Sequence, residues 1–204
     1  MTKIVLDLCG GCGAWSKYYA QNPAYDVRII TLPKYDVLTY APPINVWGIL
    51  AAPPCTQFSF ALNEKITRNF PAGMEIVNAC MRIIDASRPK WWALENPCGH
   101  LRKFLGQPKL TFQPWEYGDS WTKRTDIWGN FNPPTKIHSS WDTVEKNVNL
   151  YIRPFRNKPN MIWLHKSAYQ YILSFADLPA PKTDADFRSM TPQGFAKAFF
   201  IANP

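Results

Sequence analysis

Long apolar runs are missing from this sequence of 204 residues. No stretch approaches the ~18 consecutive apolar residues that a membrane-spanning helix needs. The N-terminus also lacks the charged-then-apolar pattern of a secretory leader. We therefore predict a protein without a membrane partner that resides in the cytoplasm.

Histidine is scarce and cysteine is odd in number. The three histidines, His100, His138 and His165, are scattered, and the five cysteines lie in apolar or glycine-rich surroundings. A chain of this length can bury a core without disulfides, so reduced thiols are expected. Cys9 and Cys12 form a Cys-x-x-Cys pair, but no second pair has ligand spacing, so we predict no metal site.

Acidic residues are outnumbered, with 15 Asp and Glu against 23 Lys and Arg, which gives a net charge of +8. Such a surface field favours a polyanionic partner such as nucleic acid, although many basic proteins bind none. The apolar content of 46% can supply a sizeable core, and the length suits one domain with a short appendage.

The first 131 residues alternate apolar runs with helical patterns, which predicts an α/β fold. Met74, Val77, Met81 and Ile84 recur at steps of three and four and should share the core-facing side of a helix. Strands are predicted over residues 3–8, 27–30, 46–51, 91–94 and 125–131, and helices over 14–20 and 71–87.

The pattern changes after residue 131, where Pro- and aromatic-rich stretches begin. One short helix is predicted over 167–175. Thr191 and Pro192 predict a helix start, with the Thr191 hydroxyl as the cap and Pro192 at the first helical position. We predict a core over residues 1–131, an appended region over 132–187 and a helical segment over 188–204 that returns to the core.

A glycine-rich turn follows the first predicted strand. Gly10, Gly11 and Gly13 let the backbone pass close to a ligand and offer amide hydrogens to it. The helix start that follows would suit an anion such as the methionine carboxylate of S-adenosylmethionine. A tight turn made for packing alone is the alternative.

Cys55 follows two prolines at the end of a buried strand, so its sulfur is predicted to face a cleft. A positioned thiol is a good nucleophile at neutral pH when its thiolate is favoured. A free cysteine also packs well as a small apolar group, and this segment alone leaves both readings open.

These two segments together resemble the DNA cytosine-5 methyltransferases. The Cys55 segment resembles the catalytic loop of that family, the glycine turn resembles its cofactor loop, and the spacing between them suits the family. The matching residues are Pro53, Pro54, Cys55, Phe58 and Ser59 in the first, and Asp7, Leu8, Gly11 and Gly13 in the second. The resemblance implies a Rossmann-like class I S-adenosylmethionine-dependent methyltransferase sheet with a small appended region. In that family the cysteine adds to carbon 6 of cytosine, and carbon 5 then takes the methyl group.

Later segments extend the resemblance. Glu95, Asn96 and Pro97 are similar to the family's Glu-Asn-Val element, whose carboxyl contacts ring nitrogen 3 and the exocyclic amine. A partly desolvated Glu95 would favour its protonated form and could donate to nitrogen 3. The segment 191–196 resembles the last family element, which packs beside the cofactor.

Arg124 stands five residues before Gly129, as does the second arginine of the family's Gln-x-Arg-x-Arg element. It would hold the carbonyl oxygen of cytosine. The element's glutamine and first arginine are replaced by Ser120 and Thr122, and a surface arginine is the alternative.

The sequence departs from the family in its cofactor segments. No acidic residue follows the second strand to hold the cofactor ribose, and Cys9 stands where an aromatic residue is usual, whereas Asp36 lies near the usual acidic contact to adenine. The target-recognition region is also short, as in enzymes of phages and prophages, which points to a bacterial or phage-infected cell. It keeps a mixture suited to phosphate contacts and stacking: Arg153, Arg156, Lys158, Lys166, Trp141, Tyr151, Phe155 and Trp163.

The resemblance therefore implies a monomeric DNA cytosine-5 methyltransferase that extrudes its target base from duplex DNA. Its implied catalytic residues are Cys55, Glu95 and Arg124, its cofactor-binding residues are Asp7, Leu8, Gly11, Gly13, Asp36 and Pro53, and its substrate-binding residues are Pro54, Ser59, Asn96, Pro97 and Lys123. Three alternatives stay open: methyl transfer to RNA or a free cytidine nucleotide, a non-catalytic nucleic-acid-binding protein with this fold, and, with least support, a cysteine hydrolase.

Overall fold

A computed structural model of the protein describes residues 2–62, 65–145, 150, 159–161, 172–173 and 183–204. Its strands are β1 (Lys3–Leu8), β2 (Tyr25–Ile30), β3 (Val46–Ala51), β4 (Trp91–Pro97), β5 (Leu110–Phe112) and β6 (Thr125–Asn130). Its α-helices are α1 (Lys17–Ala20), α2 (Phe70–Ser87), α3 (Arg102–Leu105), α4 (Asp184–Ser189) and α5 (Gln193–Ala202). Short 3₁₀ turns span Pro114–Tyr117 and Trp141–Thr143.

The six strands form one mixed sheet in the order β2-β1-β3-β4-β6-β5. β1 is parallel to β2 and β3, and β3 is parallel to β4, whereas β6 is antiparallel to both β4 and β5. The chain moves outward from β1 to β2 in one direction and from β3 to β4 in the other. The carboxyl ends of β1 and β3 therefore flank a switch point, where open α/β sheets bind ligands.

Both faces of the sheet are covered, because successive strand side chains point to opposite sides. Leu6 and Ile49 belong to the core on the face that also contains Val77 and Ile83 of α2. Val5 and Leu50 face the other way, into a core that contains Tyr19 of α1 and Phe195 and Phe199 of α5. The α/β prediction is confirmed.

Helix α2 matches its prediction closely. It begins after Asn69, whose side chain accepts a hydrogen bond from the Ala72 amide, and it ends at Ser87, where Arg88 follows in a left-handed conformation. Within the predicted stripe, Val77 and Ile84 are buried, and Met74 and Met81 pack against the same core while partly exposed.

Two helix starts differ from the sequence-based expectation. Residues 11–16 are in turns, so α1 begins at Lys17 and not at residue 14. Pro192 occupies the N-cap of α5 and makes no side-chain cap, so the Thr191 hydroxyl is not the capping group. A buried carboxylate from elsewhere in the chain, that of Asp119, accepts a hydrogen bond from the Gly194 amide at 3.0 Å.

Only some residues of the appended region 132–187 are among the described residues. The predicted contact residues Tyr151, Arg153, Phe155, Arg156, Lys158, Trp163 and Lys166, and most of the predicted helix 167–175, lie outside the described residues. Trp141 is described and buried. Leu150, Met161 and Ile172 form a small core with Phe187, Met190, Trp121 and Ala14. The division into three regions stays a prediction.

Two further findings concern the described residues. All five cysteines are free thiols. None of the described helices combines the length and apolarity that crossing a bilayer requires.

Candidate active site

Four segments meet at the carboxyl edge of the parallel strands. The glycine turn follows β1, the Pro-Pro-Cys loop follows β3, and Glu95 to Pro97 close β4. The Ala52 amide donates to the Leu8 carbonyl at 2.9 Å, which joins the first two segments. Thr125, the first residue of β6, lies opposite Pro97, so Lys123 and Arg124 arrive at the same edge.

The glycine turn is closed by a 2.8 Å hydrogen bond from the Gly13 amide to the Gly10 carbonyl. Gly11 and Gly13 have φ angles of 54° and 75°, which favour glycine. A Cβ at Gly13 would lie 2.7 Å from the Ile29 Cδ1, whereas one at Gly11 would have no atom within 4 Å. The turn is tightly packed on one side and open on the other.

Asp7 lies beneath this turn and is buried. Its Oδ2 accepts a hydrogen bond from the Ser16 hydroxyl at 2.5 Å, whereas its Oδ1 has no partner among the described residues. Burial raises the pKa of Asp7 to about 6, against the opposing effect of the Ser16 hydrogen bonds. A buried acceptor without a donor fits an ammonium or hydroxyl group of a ligand.

The other predicted cofactor residues have different surroundings. Leu8 is fully buried in the core on the α2 face. Asp36 is half-buried and accepts a hydrogen bond from the Leu38 amide at 2.9 Å. The hydrogen bond with the Cys80 thiol lowers the pKa of Cys9 in the glycine turn, and the Asp36 charge acts in the opposite direction. The segment after β2 therefore approaches the turn, although it exposes the large apolar side chains Leu32 and Tyr35.

The Pro-Pro-Cys loop is anchored at both ends. Asn96 is fully buried and donates from Nδ2 to the carbonyl of the buried Pro53 at 3.0 Å. The Cys55 carbonyl accepts from the amides of Phe58 and Ser59 at 2.9 and 2.8 Å. Phe58 is buried in the α2 core, so the half-buried Cys55 is held between two fixed points.

The environment of Cys55 opposes ionisation in the ligand-free protein. Burial and, secondly, the nearby Glu95 carboxyl raise the pKa of the Cys55 thiol, while Lys123 acts in the opposite direction. A thiol whose pKa lies above its ordinary value is protonated at neutral pH. Activation of Cys55 therefore depends on the charges of its two neighbours.

Glu95 and Lys123 form a buried ion pair beside Cys55. The Lys123 Nζ lies 3.8 Å from the Glu95 Oε1, and the two side chains are 10% and 9% exposed. Burial raises the pKa of Glu95, Asp126 adds to this, and Lys123 opposes it. The expectation that Glu95 is desolvated is confirmed by this burial.

The remaining predicted residues lie at the rim. Arg124 and Pro54 are exposed, and the Arg124 carbonyl accepts from the Cys98 amide at 2.9 Å. The Ser59 hydroxyl accepts from the Ala61 amide, and Pro97 pairs with Thr125 in the sheet. The structure thus brings Cys55, Glu95, Asn96 and Lys123 together, and the role of Arg124 stays a prediction.

Sequence reasoning missed the residues that support Glu95 and Lys123. Gln113 accepts the Lys123 amide at 3.0 Å through its Oε1. Asp126 is fully buried and accepts from Arg102 at 2.7 and 2.6 Å and from Thr111 at 2.7 Å. The three-residue strand β5 that brings Thr111 there is too short to be recognised by its pattern.

An aromatic and basic surface lies beside the Cys55 loop, and we call it the aromatic–basic face. Phe60 and Phe104 are exposed, and the Phe60 ring contacts the His100 ring at 4.9 Å between centroids. Burial and the cations Lys103 and Arg68 lower the pKa of His100, so both cations lie near it. Rings and cations together suit bases and phosphates.

No group of three or more metal-ligating side chains occurs among the described residues.

No protein-family model matches the chain, and no curated protein matches it. Among solved structures it is similar to an E. coli prophage-encoded protein described as a DNA modification methyltransferase, with 16% identity and a TM-score of 0.45. The match covers 63% of this chain and 47% of that one, so this chain spans about half of that protein's length.

Proposed function

We propose that the protein is a DNA cytosine-5 methyltransferase that uses S-adenosylmethionine and acts through a covalent Cys55 adduct. The observation that carries the proposal is the meeting of Cys55 with Glu95 and Lys123, beside the glycine turn, at the switch point of an α/β sheet. The mixed sheet fits the methyltransferase-like fold that the sequence resemblance implies.

The proposed reaction begins when the Cys55 thiolate bonds to carbon 6 of cytosine and an electron pair moves to carbon 5. Negative charge develops on the ring, and a protonated Glu95 can donate to nitrogen 3. Carbon 5 takes the methyl group, a base or water removes the proton from carbon 5, and the carbon–sulfur bond breaks to return the thiolate. The ring must leave the duplex stack for the thiol to reach carbon 6.

The residues of the glycine turn fit S-adenosylmethionine, which supplies the methyl group when bound. The unpartnered Asp7 Oδ1 suits its amino group, and the open side of Gly11 leaves room for close approach of a ligand to the backbone. Asp36 and Pro53 stand at the same edge as further candidates.

Two observations support DNA as the substrate. The chain carries a net charge of +8, which attracts a phosphate backbone. The aromatic–basic face adjoins the Cys55 loop and could receive the bases and phosphates next to an extruded cytosine. The predicted contact residues of the appended region would extend this surface.

Transfer of radiolabelled methyl groups from S-adenosylmethionine tests the proposal, with duplex DNA, single-stranded DNA, RNA and cytidine nucleotides as competing acceptors. We expect incorporation into duplex DNA, and its loss in Cys55→Ser. Cys98→Ser is the matched control, because Cys98 is a half-buried free thiol outside the Pro-Pro-Cys loop. Full activity of Cys55→Ser would exclude the covalent mechanism, and a preference for RNA or nucleotides would change the substrate.

Duplex DNA that contains 5-fluorocytosine provides a second test. Fluorine at carbon 5 cannot leave as a proton does, so the carbon–sulfur bond should persist and trap the protein on DNA. Peptide mapping should locate the adduct on Cys55. Bisulfite sequencing of DNA from expressing cells would then report the target sequence. DNA binding without calorimetric binding of S-adenosylmethionine would instead support a non-catalytic DNA-binding protein.

A further inference from the structure

Two adjacent cationic residues precede β6, and their surroundings differ sharply. Lys123 has a side chain that is 10% exposed, with Nζ 3.8 Å from the Glu95 Oε1. Arg124 is exposed. The family resemblance assigns the cation that acts on the cytosine ring to Arg124, but of these two residues it is Lys123 that lies at Glu95.

The fold holds Lys123 through its backbone on both sides. Its amide donates to the Gln113 side chain at 3.0 Å, and its carbonyl accepts from the Thr125 hydroxyl at 2.8 Å. Thr125 lies opposite Pro97 at the end of β4, two residues after Glu95. The pairing of β4 with β6 therefore holds the Lys123 ammonium group at Glu95, together with Gln113, the residue after β5.

Among the described residues, the charges around Cys55 balance when the pocket holds a single anion. The Asn96–Pro53 hydrogen bond joins the Cys55 loop to the residue after Glu95, and the Cys55 thiol lies within electrostatic range of Glu95 and Lys123. The Glu95 carboxyl lies 3.8 Å from the Lys123 Nζ and within electrostatic range of Asp126. Asp126 is neutralised by its two hydrogen bonds from Arg102. With Lys123 charged, one anion on either Cys55 or Glu95 gives a neutral pocket, whereas two anions leave a buried net charge, which is costly.

We propose that Lys123 is the counter-ion of one negative charge that Cys55 and Glu95 share, so that the Cys55 thiolate forms when the proton resides on Glu95. The proton moves from sulfur to a carboxylate oxygen, and the net charge of the pocket is unchanged. One proton transfer then produces both the nucleophile and the acid that cytosine addition requires. Lys123 is a positioning residue here, and the assignment rests on the proposed function for the use of Cys55 as nucleophile.

Alkylation of Cys55 by iodoacetamide, followed against pH, tests the proposal on the full chain without DNA or cofactor. Mass spectrometry of the Cys55 peptide separates it from the other four thiols. In Lys123→Met we expect alkylation at pH 7 to be about tenfold slower, which corresponds to a rise of one unit in the pKa of Cys55. Lys123→Arg should restore the rate, because it restores the charge.

Two further variants sharpen the test. Glu95→Gln removes the competing anion, so Cys55 should be alkylated faster than in the wild-type protein at pH 7. Arg124→Met should leave the pH profile unchanged, since Arg124 lies outside the pocket. Glu95→Gln and Lys123→Arg keep the assay decisive if Lys123→Met does not fold, as judged by circular dichroism.

An unchanged profile in folded Lys123→Met, an equal shift in Arg124→Met, or slower alkylation in Glu95→Gln would each overturn the counter-ion assignment. The alkylation assay tests Lys123 independently of the proposed function. If the alkylation profiles are as expected but no methyl transfer occurs, the methyltransferase proposal alone is rejected. If methyl transfer is normal but the alkylation profiles of the variants are unchanged, the role of Lys123 alone is rejected.

Discussion

The parallel half of the sheet (β2, β1, β3 and β4) and the antiparallel pair (β6 and β5) contribute different parts of the candidate site. The parallel half carries the glycine turn and Cys55 on loops that directly follow strands. The antiparallel pair carries Asp126 on β6, where Arg102 of α3 neutralises it. The register of β6 against β4 also places Lys123, which precedes β6, at Glu95. We infer that the parallel half holds the reacting groups and that the antiparallel pair sets their charge.

Loss of the Asp126 carboxylate should have the largest effect, and this effect should differ between the two halves of the sheet. Asp126→Ala leaves Arg102 and Thr111 without their buried acceptor, so the free energy of unfolding should fall by about 3 kcal/mol. Urea unfolding measures this loss. Methyl transfer should suffer more than calorimetric binding of S-adenosylmethionine, because the glycine turn lies in the other half.

Asp26→Ala is the matched control, because the Arg28 and Asp26 side chains of its ion pair are 40% and 42% exposed. Such a pair is worth less than about 1 kcal/mol. If the free energy of unfolding falls equally in the two variants, the buried Asp126 contributes no more stability than an exposed ion pair, which contradicts the prediction.

Asn96 joins the Cys55 loop to β4, so its removal should disturb the parallel half locally. Asn96→Ala leaves the buried Pro53 carbonyl without its donor, at a cost of about 2 kcal/mol in the free energy of unfolding. The loosened loop should lower the rate of methyl transfer more than the affinity for DNA. Asn130→Ala, at the exposed end of β6, should change stability by less than about 0.5 kcal/mol.

The pKa of Asp7, raised to about 6 by burial, predicts a pH dependence confined to the cofactor end. An ionised Asp7 should bind the amino group of S-adenosylmethionine better than a protonated one. Affinity measured by calorimetry should therefore rise with pH, by about tenfold between pH 5 and 7, and level off above pH 7. Asp7→Asn should remove this dependence, and a pH-dependent affinity in that variant would assign it to another group.

Asp7 also affects folding, with the opposite sign. Because its pKa is raised in the folded protein, ionisation favours the unfolded state, and stability should decline as pH rises from about 4 to 6. Urea unfolding across this range should show the free energy of unfolding of the wild-type protein declining relative to that of Asp7→Asn as pH rises.

The smallest expected effect concerns the aromatic–basic face. Phe60 is 65% exposed, so Phe60→Ala should leave stability nearly unchanged but weaken DNA binding by about 1 kcal/mol, or roughly fivefold. Fluorescence anisotropy with labelled duplex DNA measures the change. Ile201→Ala, at a 67% exposed position on α5, should leave DNA binding unaltered. Equal effects would assign the loss to general surface apolarity.

Much of the parallel half could be predicted from the sequence, because its signals are local. A short apolar run followed by glycine or proline marks both a strand and the loop after it, as at β1 and β3. The periodicity of α2 likewise requires no knowledge of its partners. The burial of Glu95 followed from its position at the end of a buried strand.

The antiparallel pair was harder to predict for physical reasons. β5 has three residues, and α3 has four, so neither shows a full period of its pattern. α4 did carry a local signal, because Thr183 and Asp186 form a reciprocal cap, but the surrounding Pro- and aromatic-rich sequence obscured it. The Arg102–Asp126 pair joins residues 24 positions apart, which no local pattern reports.

The sequence alone predicted an α/β fold in which the glycine turn and Cys55 each directly follow a strand, and the sheet order then made those two strands neighbours. The tertiary structure decided which cation stands with them. Adjacent residues leading into a strand point to opposite sides, so the pairing of β6 with β4 turns Lys123 toward Glu95 and leaves Arg124 in solvent. A shift of one residue in that register would exchange their positions, and strand register depends on contacts far apart along the chain.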